Sequence, residues 1–306
     1  APMPDGADAV VPIEATDQGI VTVSIRETPE PGAFVRRIGS DVHIGDLVLR
    51  AGQRLTARHI AAGIAVGSDE VLVHRPPRIG IIATGSELVG AGEPLQRGQI
   101  HDSNSYLLAA AVAEAGGIAV PIDSVPDDDD ILRATLNVHA GEVDAFVLSG
   151  GASVGAHDVS KSVLGPLDTM TFSAVRMQPG KPQGFGRWTD GTVIFVLPGN
   201  PVSSFVSFEV FVRPAIQKML SRALLQRSTT EAIVATGWRP PAGRRQYMPV
   251  AVDTTDAGLR VRPATTGGSG SHLVASLAVA DALAIIDETI DQVNQGDSVT
   301  VMLLES

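Results

Sequence analysis

The residues best suited to chemistry lie in one stretch, Ser149-Gly-Gly-Ala-Ser-Val-Gly-Ala-His-Asp158. Glycine has no Cβ, so backbone amides at Gly150, Gly151 and Gly155 can approach a ligand closely, and Ser149 and Ser153 add hydroxyls. Three more loops have similar chemistry: Thr84-Gly85-Ser86-Glu87, Pro126 to Asp130, and Pro198-Gly199-Asn200-Pro201-Val202-Ser203. Amides, hydroxyls and helix N-termini are what a phosphate-bearing ligand needs. Carboxylates at Glu87, Asp127 and Asp158, if they share one edge, suit Mg²⁺, which takes oxygen ligands and bridges to phosphates. The plainer alternatives are a surface carboxylate or cap for Glu87 and helix capping for Asp127 and Asp158. Lys181, in Pro179-Gly180-Lys181-Pro182, is one positive charge on a rigid turn, suited to an anion or simply exposed. His101 and His157 stand beside aspartates without a zinc-ligand spacing, and read as hydrogen-bonding or surface residues. No nucleophile elbow and no Walker-type phosphate loop is present.

Positioning these loops requires strands of one sheet. Arg78 to Ala83, Ile118 to Ile122, Ala145 to Leu148, Met170 to Met177 and Val193 to Leu197 read as strands, several of them continuously apolar. Helices are predicted over Ser105–Ala115, Ile131–Ala140 and Val202–Leu220. Alternation of strand and helix implies βαβ crossovers and a three-layer parallel sheet. Its strand-end loops would converge on one crevice. Before Pro76 and Pro77, short alternating segments (Ala9–Ile13, Ile20–Ile25, Phe34–Ile38) and a helix over Thr56–Val66 predict a β-rich region with a helical linker. After Thr229, short strands at Ile233–Trp238, Gln246–Val252, Leu259–Pro263, Ala282–Ile286 and Ser298–Leu304 predict a small β-barrel or sandwich. The expected domains are therefore 1–77, 78–222 and 223–306, an α/β core flanked by two β-containing regions.

Composition narrows the function classes. The chain has 306 residues, more than one ordinary core, with 44% apolar and 19% charged residues, a globular balance. A net charge of −11 disfavours nucleic acid and anionic membranes as partners. The absence of cysteine removes disulfides, thiolate metal sites and thiol nucleophiles. No bilayer-spanning run and no leader are read, so a cytoplasmic protein is expected.

The ordered set of motifs resembles the molybdopterin molybdenumtransferases, the MoeA and gephyrin E-domain family. The segments are Pro-Asp-Gly-Ala-Asp-Ala-Val-Val from Pro4, Thr-Gly-Ser-Glu-Leu from Thr84, Gly-Gln-Ile-His-Asp-Ser-Asn from Gly98, and Ser-Gly-Gly-Ala-Ser-Val-Gly from Ser149. Pro-Gly-Lys-Pro from Pro179, Pro-Gly-Asn-Pro-Val-Ser from Pro198 and Gly-Ser-His before Leu273 complete the set. The resemblance implies a central domain of the molybdopterin-binding type and a reaction in which adenylylated molybdopterin and molybdate give molybdenum cofactor and AMP, assisted by Mg²⁺. It implies functional carboxylates at Glu87, Asp127 and Asp158. It also implies cofactor-binding contacts along Thr84, Gly85, Ser86, Asp102, Asn104, the Ser149 loop, Pro179, Gly180 and Pro198 to Pro201, and a molybdate pocket at Lys181, Ser203 and Ser271. An elongated homodimer, and contacts with other cofactor-biosynthesis proteins, are implied as well. A related adenylyltransferase would need no C-terminal β domain; a non-catalytic pterin-binding or scaffold paralogue is the other alternative. Three departures stand out. The chain begins inside the family's usual sequence, Pro249 stands where the family typically has arginine (with Arg244 and Arg245 nearby), and Gln178 stands where lysine is frequent.

Overall fold

The computed structural model describes residues 2–152, 158–256, 258–265 and 269–304. The chain divides into two compact units, Ala1–Glu70 and Val71–Ser306. In the first, the regular elements are a 3₁₀ turn at Ile13–Ala15 and helix α1 (Ala57–Ala65). The backbone N–H of Thr56 donates to His59 Nδ1 at 3.0 Å and tethers the start of α1. The strands expected over 9–13, 20–25 and 34–38 do not form; one isolated bridge joins Thr16 to Ile25. A ladder in water needs a buried apolar face, and here Ile20, Val21 and Ile38 are 99%, 98% and 107% exposed.

The second unit opens with β1 (Arg78–Ala83), the short parallel pair β2 (Leu88–Val89) and β3 (Ile100–His101), and α2 (Asn104–Glu114). Then come β4 (Ile118–Pro121), α3 (Asp129–His139), β5 (Ala145–Ser149) and α4 (Val159–Leu164). They are followed by β6 (Thr171–Ala174), β7 (Met177–Gln178), β8 (Pro182–Arg187) and β9 (Val193–Leu197). The sheet order is β4-β1-β5-β9-β8-β6. The first four strands are parallel, as expected, while β8 and β6 extend the sheet antiparallel. Alternate residues of the parallel strands feed two cores. Ile82, Phe146, Leu148 and Val196 pack with Leu132, Leu136 and Val163 of α3 and α4. Ile79, Ile81, Val147 and Leu197 pack with Leu108, Val112, Phe208 and Ile216 on the other face. That is the expected three-layer arrangement.

The helix predicted over Val202–Leu220 is three pieces: α5 (Pro201–Ser207), a π-helical turn at Phe208–Val212, and α6 (Arg213–Met219). Pro214 has no N–H for the carbonyl four residues earlier, and the ladder widens in the turn before it. The wider turn buries Glu209 completely, where it accepts from Arg213 Nε (2.7 Å) and Arg227 Nε (2.6 Å).

The run 170–177, expected as one strand, is divided between two sheets, since β7 leaves β6 to pair with the barrel. The barrel is β10 (Thr229–Val234), β11 (Arg245–Thr255), β12 (Gly258–Pro263), β13 (Ala282–Ile286) and β14 (Ser298–Leu303). Its order β12-β10-β14-β13-β11 closes through a β12–β11 ladder, with β7 added beside the start of β11. Val234, Met248, Val250, Val261, Ala284 and Val301 fill its interior. Among the described residues no helix is long and apolar enough to cross a membrane.

Candidate active site

Strand order decides where a ligand can sit. The chain leaves β1 toward β4 on one side, and leaves β5 toward β9 on the other, so a crevice opens between the carboxyl ends of β1 and β5. A cavity of about 610 Å³ lies there. It is lined by Thr84, Gly85 and Glu87 after β1, Asp127 after β4, and Ser149, Gly150, Gly151 and Asp158 after β5. Gly199, Asn200 and Pro201 after β9, with Asp102 and Asn104 at the head of α2, complete the wall among the predicted residues.

Hydrogen bonds tie these loops together. Thr84 N donates to Ser149 O (2.9 Å), Gly85 N to Val125 O (3.0 Å) and Gly150 N to Leu197 O (3.1 Å). The Asn104 amide donates to Ser149 Oγ at 2.7 Å and to Gly199 O at 2.6 Å, so one side chain from α2 spans two loops. Asp102 holds the same helix start by accepting from Ser105 N at 3.0 Å. Gly150 has φ +103°, and a Cβ there would stand 2.6 Å from the Thr84 carbonyl oxygen. Both the conformation and the approach require glycine, so Gly150 is a structural necessity for a tight junction.

The carboxylates divide by task. Asp128 caps α3 by accepting from Asp130 N and Ile131 N, both at 3.0 Å, and Asp129 accepts from the Ser162 hydroxyl. Asp127 instead faces the β1 loop: Ser86 N donates to its Oδ2 (3.2 Å), and Asp127 N donates to Ser86 Oγ (3.0 Å). Asp158 caps α4, accepting from Lys161 N at 3.2 Å, and also lines the cavity. Capping and site placement are therefore compatible at Asp158. Glu87, Asp127 and Asp158 share one wall, yet among the described residues no three Asp, Glu or His side chains are grouped to hold an ion. The expected three-carboxylate Mg²⁺ site is not preassembled.

Other predicted residues lie apart from the cavity wall. Ser86 is exposed and bonded to Asp127, while Pro198 is buried. Ser203 is 4% exposed in α5. Pro179 and Gly180 are buried and Lys181 is exposed. Their turn is pinned to α5, where the Gln183 amide donates to Gly180 O (2.7 Å) and Ser207 Oγ (2.6 Å). Ser271 joins the Pro198 loop: Asn200 Nδ2 donates to its Oγ (2.9 Å) and Val202 N to its carbonyl (3.2 Å). Ser153, Gly155 and His157 lie outside the described residues.

His101 lines the cavity although its sequence reading was a hydrogen-bonding or surface residue. Its Nδ1 is 3.0 Å from the Gly90 carbonyl, to which it donates. The signal that could have placed it is its position between Ile100 of β3 and Asp102. Pro249 is buried in β11, paired with Leu283, and its carbonyl accepts from Ala264 N at 2.9 Å. Of the neighbouring cations, Arg245 is engaged by Asp287 (3.2 Å) and Glu288 (3.7 Å). Burial pushes the Tyr247 phenol above its ordinary value, with Arg245 opposing that shift.

Comparison with known proteins agrees along the chain. The profile of a probable molybdopterin binding domain matches residues 80–218, that of the MoeA N-terminal region (domain I and II) residues 1–67, and that of the MoeA C-terminal region (domain IV) residues 231–304. Molybdopterin molybdenumtransferase 2 of Mycobacterium tuberculosis is 40% identical over 98% of this chain and 75% of its own length. Molybdopterin molybdenumtransferase of Haemophilus influenzae is 30% identical over 98% of this chain and 74% of its own. Among solved structures, a molybdopterin biosynthesis MoeA protein from Pyrococcus horikosii has TM-score 0.80 and 32% identity, covering 99% of this chain and 74% of that one. With three consecutive regions matched and relatives at this identity spanning nearly every residue, the chain belongs to the MoeA family of molybdopterin molybdenumtransferases.

Proposed function

We propose that this protein inserts molybdate into adenylylated molybdopterin and releases AMP, a step of molybdenum cofactor biosynthesis. The observation that carries the reading is the convergence of four strand-end loops on one cavity, in a chain of this family. The amides and hydroxyls of Thr84, Ser149, Gly150 and Gly151 would bind the phosphates, and Asn104 holds the loops in register. Glu87, Asp127 and Asp158 would orient the pyrophosphate link and its attacking oxygen. Positioning and electrostatic stabilisation would supply most of the rate at phosphorus. Mg²⁺ keeps several waters and takes few protein ligands beside substrate phosphates, which fits three carboxylates on one wall without a closed cage. When bound, it would neutralise charge on the phosphate oxygens. Lys181, Ser203 and Ser271 are proposed for molybdate; the Asn200–Ser271 bond supports Ser271 lying within reach of the pterin loops.

Purified protein is expected to release AMP from adenylylated molybdopterin when molybdate and Mg²⁺ are both present. Release without molybdate, or none at all with tight pterin binding retained, would sink the reading. The second outcome would support a non-catalytic pterin-binding paralogue, which the buried Pro249 in place of an arginine favours. We also propose that the protein acts in the cytoplasm as a homodimer receiving its substrate from other cofactor-biosynthesis proteins. Exposed Ile20, Val21, Ile38 and Ile44 in the first unit support self-association. Light scattering is expected to give twice the chain mass, and a monomer at all concentrations would refute the dimer.

A further inference from the structure

The cavity between β1 and β5 is poor in positive charge. Its described wall carries the carboxylates of Glu87, Asp102, Asp127 and Asp158, with no lysine and no arginine. A phosphate-bearing ligand would bring further negative charge to that wall. Among the described residues of the wall, only His101 can become a cation.

The fold fixes where His101 stands. Its strand, β3, is laddered to β2, with Val89 opposite His101. Ile100 N donates to the Glu87 carbonyl and Asp102 N to the Val89 carbonyl, both at 2.9 Å. The backbone of the histidine is thereby tied to the loop that carries Glu87. The ring is anchored by its Nδ1–H on Gly90 O at 3.0 Å, while the residue as a whole is exposed.

The charges around it are all acidic. Glu87, Asp127 and Asp158 reach the cavity from the loops after β1, β4 and β5. Glu93 lies beyond the turn at Gly90, its carboxylate 3.1 Å from where a Cβ on Gly90 would stand. Asp102, next in sequence, has both oxygens occupied by Ser105, at 3.0 Å from the backbone N and 2.5 Å from the hydroxyl. No ion pair to His101 forms among the described residues. With Nδ1 committed to a carbonyl, protonation of the ring puts its second N–H at Nε2, where no described residue accepts it. That N–H is a charge-assisted donor on the cavity wall, the kind of group that binds a phosphate oxygen.

We infer, on the reading of this cavity as the site of a phosphate-bearing ligand, that His101 as an imidazolium donates from Nε2 to a phosphate oxygen of adenylylated molybdopterin. The chain thus places one switchable cation of its own among the carboxylates.

Equilibrium binding of adenylylated molybdopterin to the full chain, with Mg²⁺ present and molybdate left out so that turnover does not intervene, tests the assignment. Histidine changes charge between about pH 5 and pH 8. His101→Gln is expected to bind about tenfold more weakly than the unmodified protein at about pH 5.5, and within about twofold of it at about pH 8. His101→Arg, whose charge does not titrate, is expected to remove the pH dependence and to bind more tightly than His101→Gln at the higher pH. A glutamine deficit that is absent, or equal at both pH values, would overturn the assignment, as would an arginine variant no better than glutamine. Binding without any dependence on His101 would leave the reading of the cavity standing, whereas no binding by the unmodified protein would remove both. Loss of AMP release with this pattern of binding intact would count against the transfer reaction alone.

Discussion

Replacing Glu209 with alanine is expected to destabilise the second unit by about 3–5 kcal/mol, lowering its melting temperature by roughly 10 °C. The carboxylate is wholly buried and takes bonds from both nitrogens of two guanidinium forks. Arg213 contributes Nε at 2.7 Å and Nη2 at 3.0 Å; Arg227 contributes Nε at 2.6 Å and Nη2 at 3.3 Å. The arginine side chains are only 8% and 10% exposed, so removing the anion leaves two poorly hydrated cations whose remaining acidic partner is Glu114, 63% exposed and at the longer distances of 3.7 and 3.5 Å. A network of this kind adds little net stability over an apolar core, yet breaking one member is costly. Replacing all three residues together by apolar ones of similar volume should therefore cost less than Glu209→Ala alone. Thermal unfolding of the single and triple variants checks both statements. Equal losses in the two would mean that packing, not the uncompensated charge, sets the cost.

Asp158→Asn is expected to lower kcat/KM for AMP release by about 100-fold or more while leaving the melting temperature nearly unchanged. The reason for the separation lies in the cap. Asparagine offers the same acceptor to Lys161 N, and the two residues cap helices about equally well. What asparagine cannot supply is the charge on the cavity wall. Glu87→Gln, at an exposed position with no cap to lose, should behave alike. Steady-state kinetics beside a melting curve for each variant would decide, and a parallel loss of activity and stability would move these carboxylates from chemistry to architecture.

The parts of the fold that could be read from the sequence are those where a single residue type had one physical use. Arg78–Ala83 and Val193–Leu197 are apolar runs buried on both faces and bounded by proline or glycine, and they form strands with those limits. β8, Pro-Gln-Gly-Phe-Gly-Arg, carries no apolar run, because its neighbours leave no space for side chains. A Cβ at Gly184 would lie 2.8 Å from the Phe172 ring. The first unit misled in the opposite direction, since alternation at Ile20 to Ile25 has the rhythm of a strand without a partner to bury it. The break at Phe208–Val212 depends on where Pro214 falls relative to a buried ion pair, which periodicity does not report. At the candidate site, loops placed after successive strands could be assigned to one edge from topology alone.

β7 takes just two residues out of the α/β portion and lends them to the barrel, with Met177 only 3% exposed among Val202, Val206, Tyr247, Leu283 and Met302. The chain enters the barrel, leaves it for β8, and returns some forty residues later at β10. The C-terminal barrel is therefore not an interchangeable cassette, even though it has a contiguous sequence and a core of its own. Grafting it onto another protein would strand one edge of β11 and uncover a methionine-shaped hole, unless the recipient brought a matching dipeptide. The two residues that complete the barrel lie outside any boundary drawn along the sequence around it.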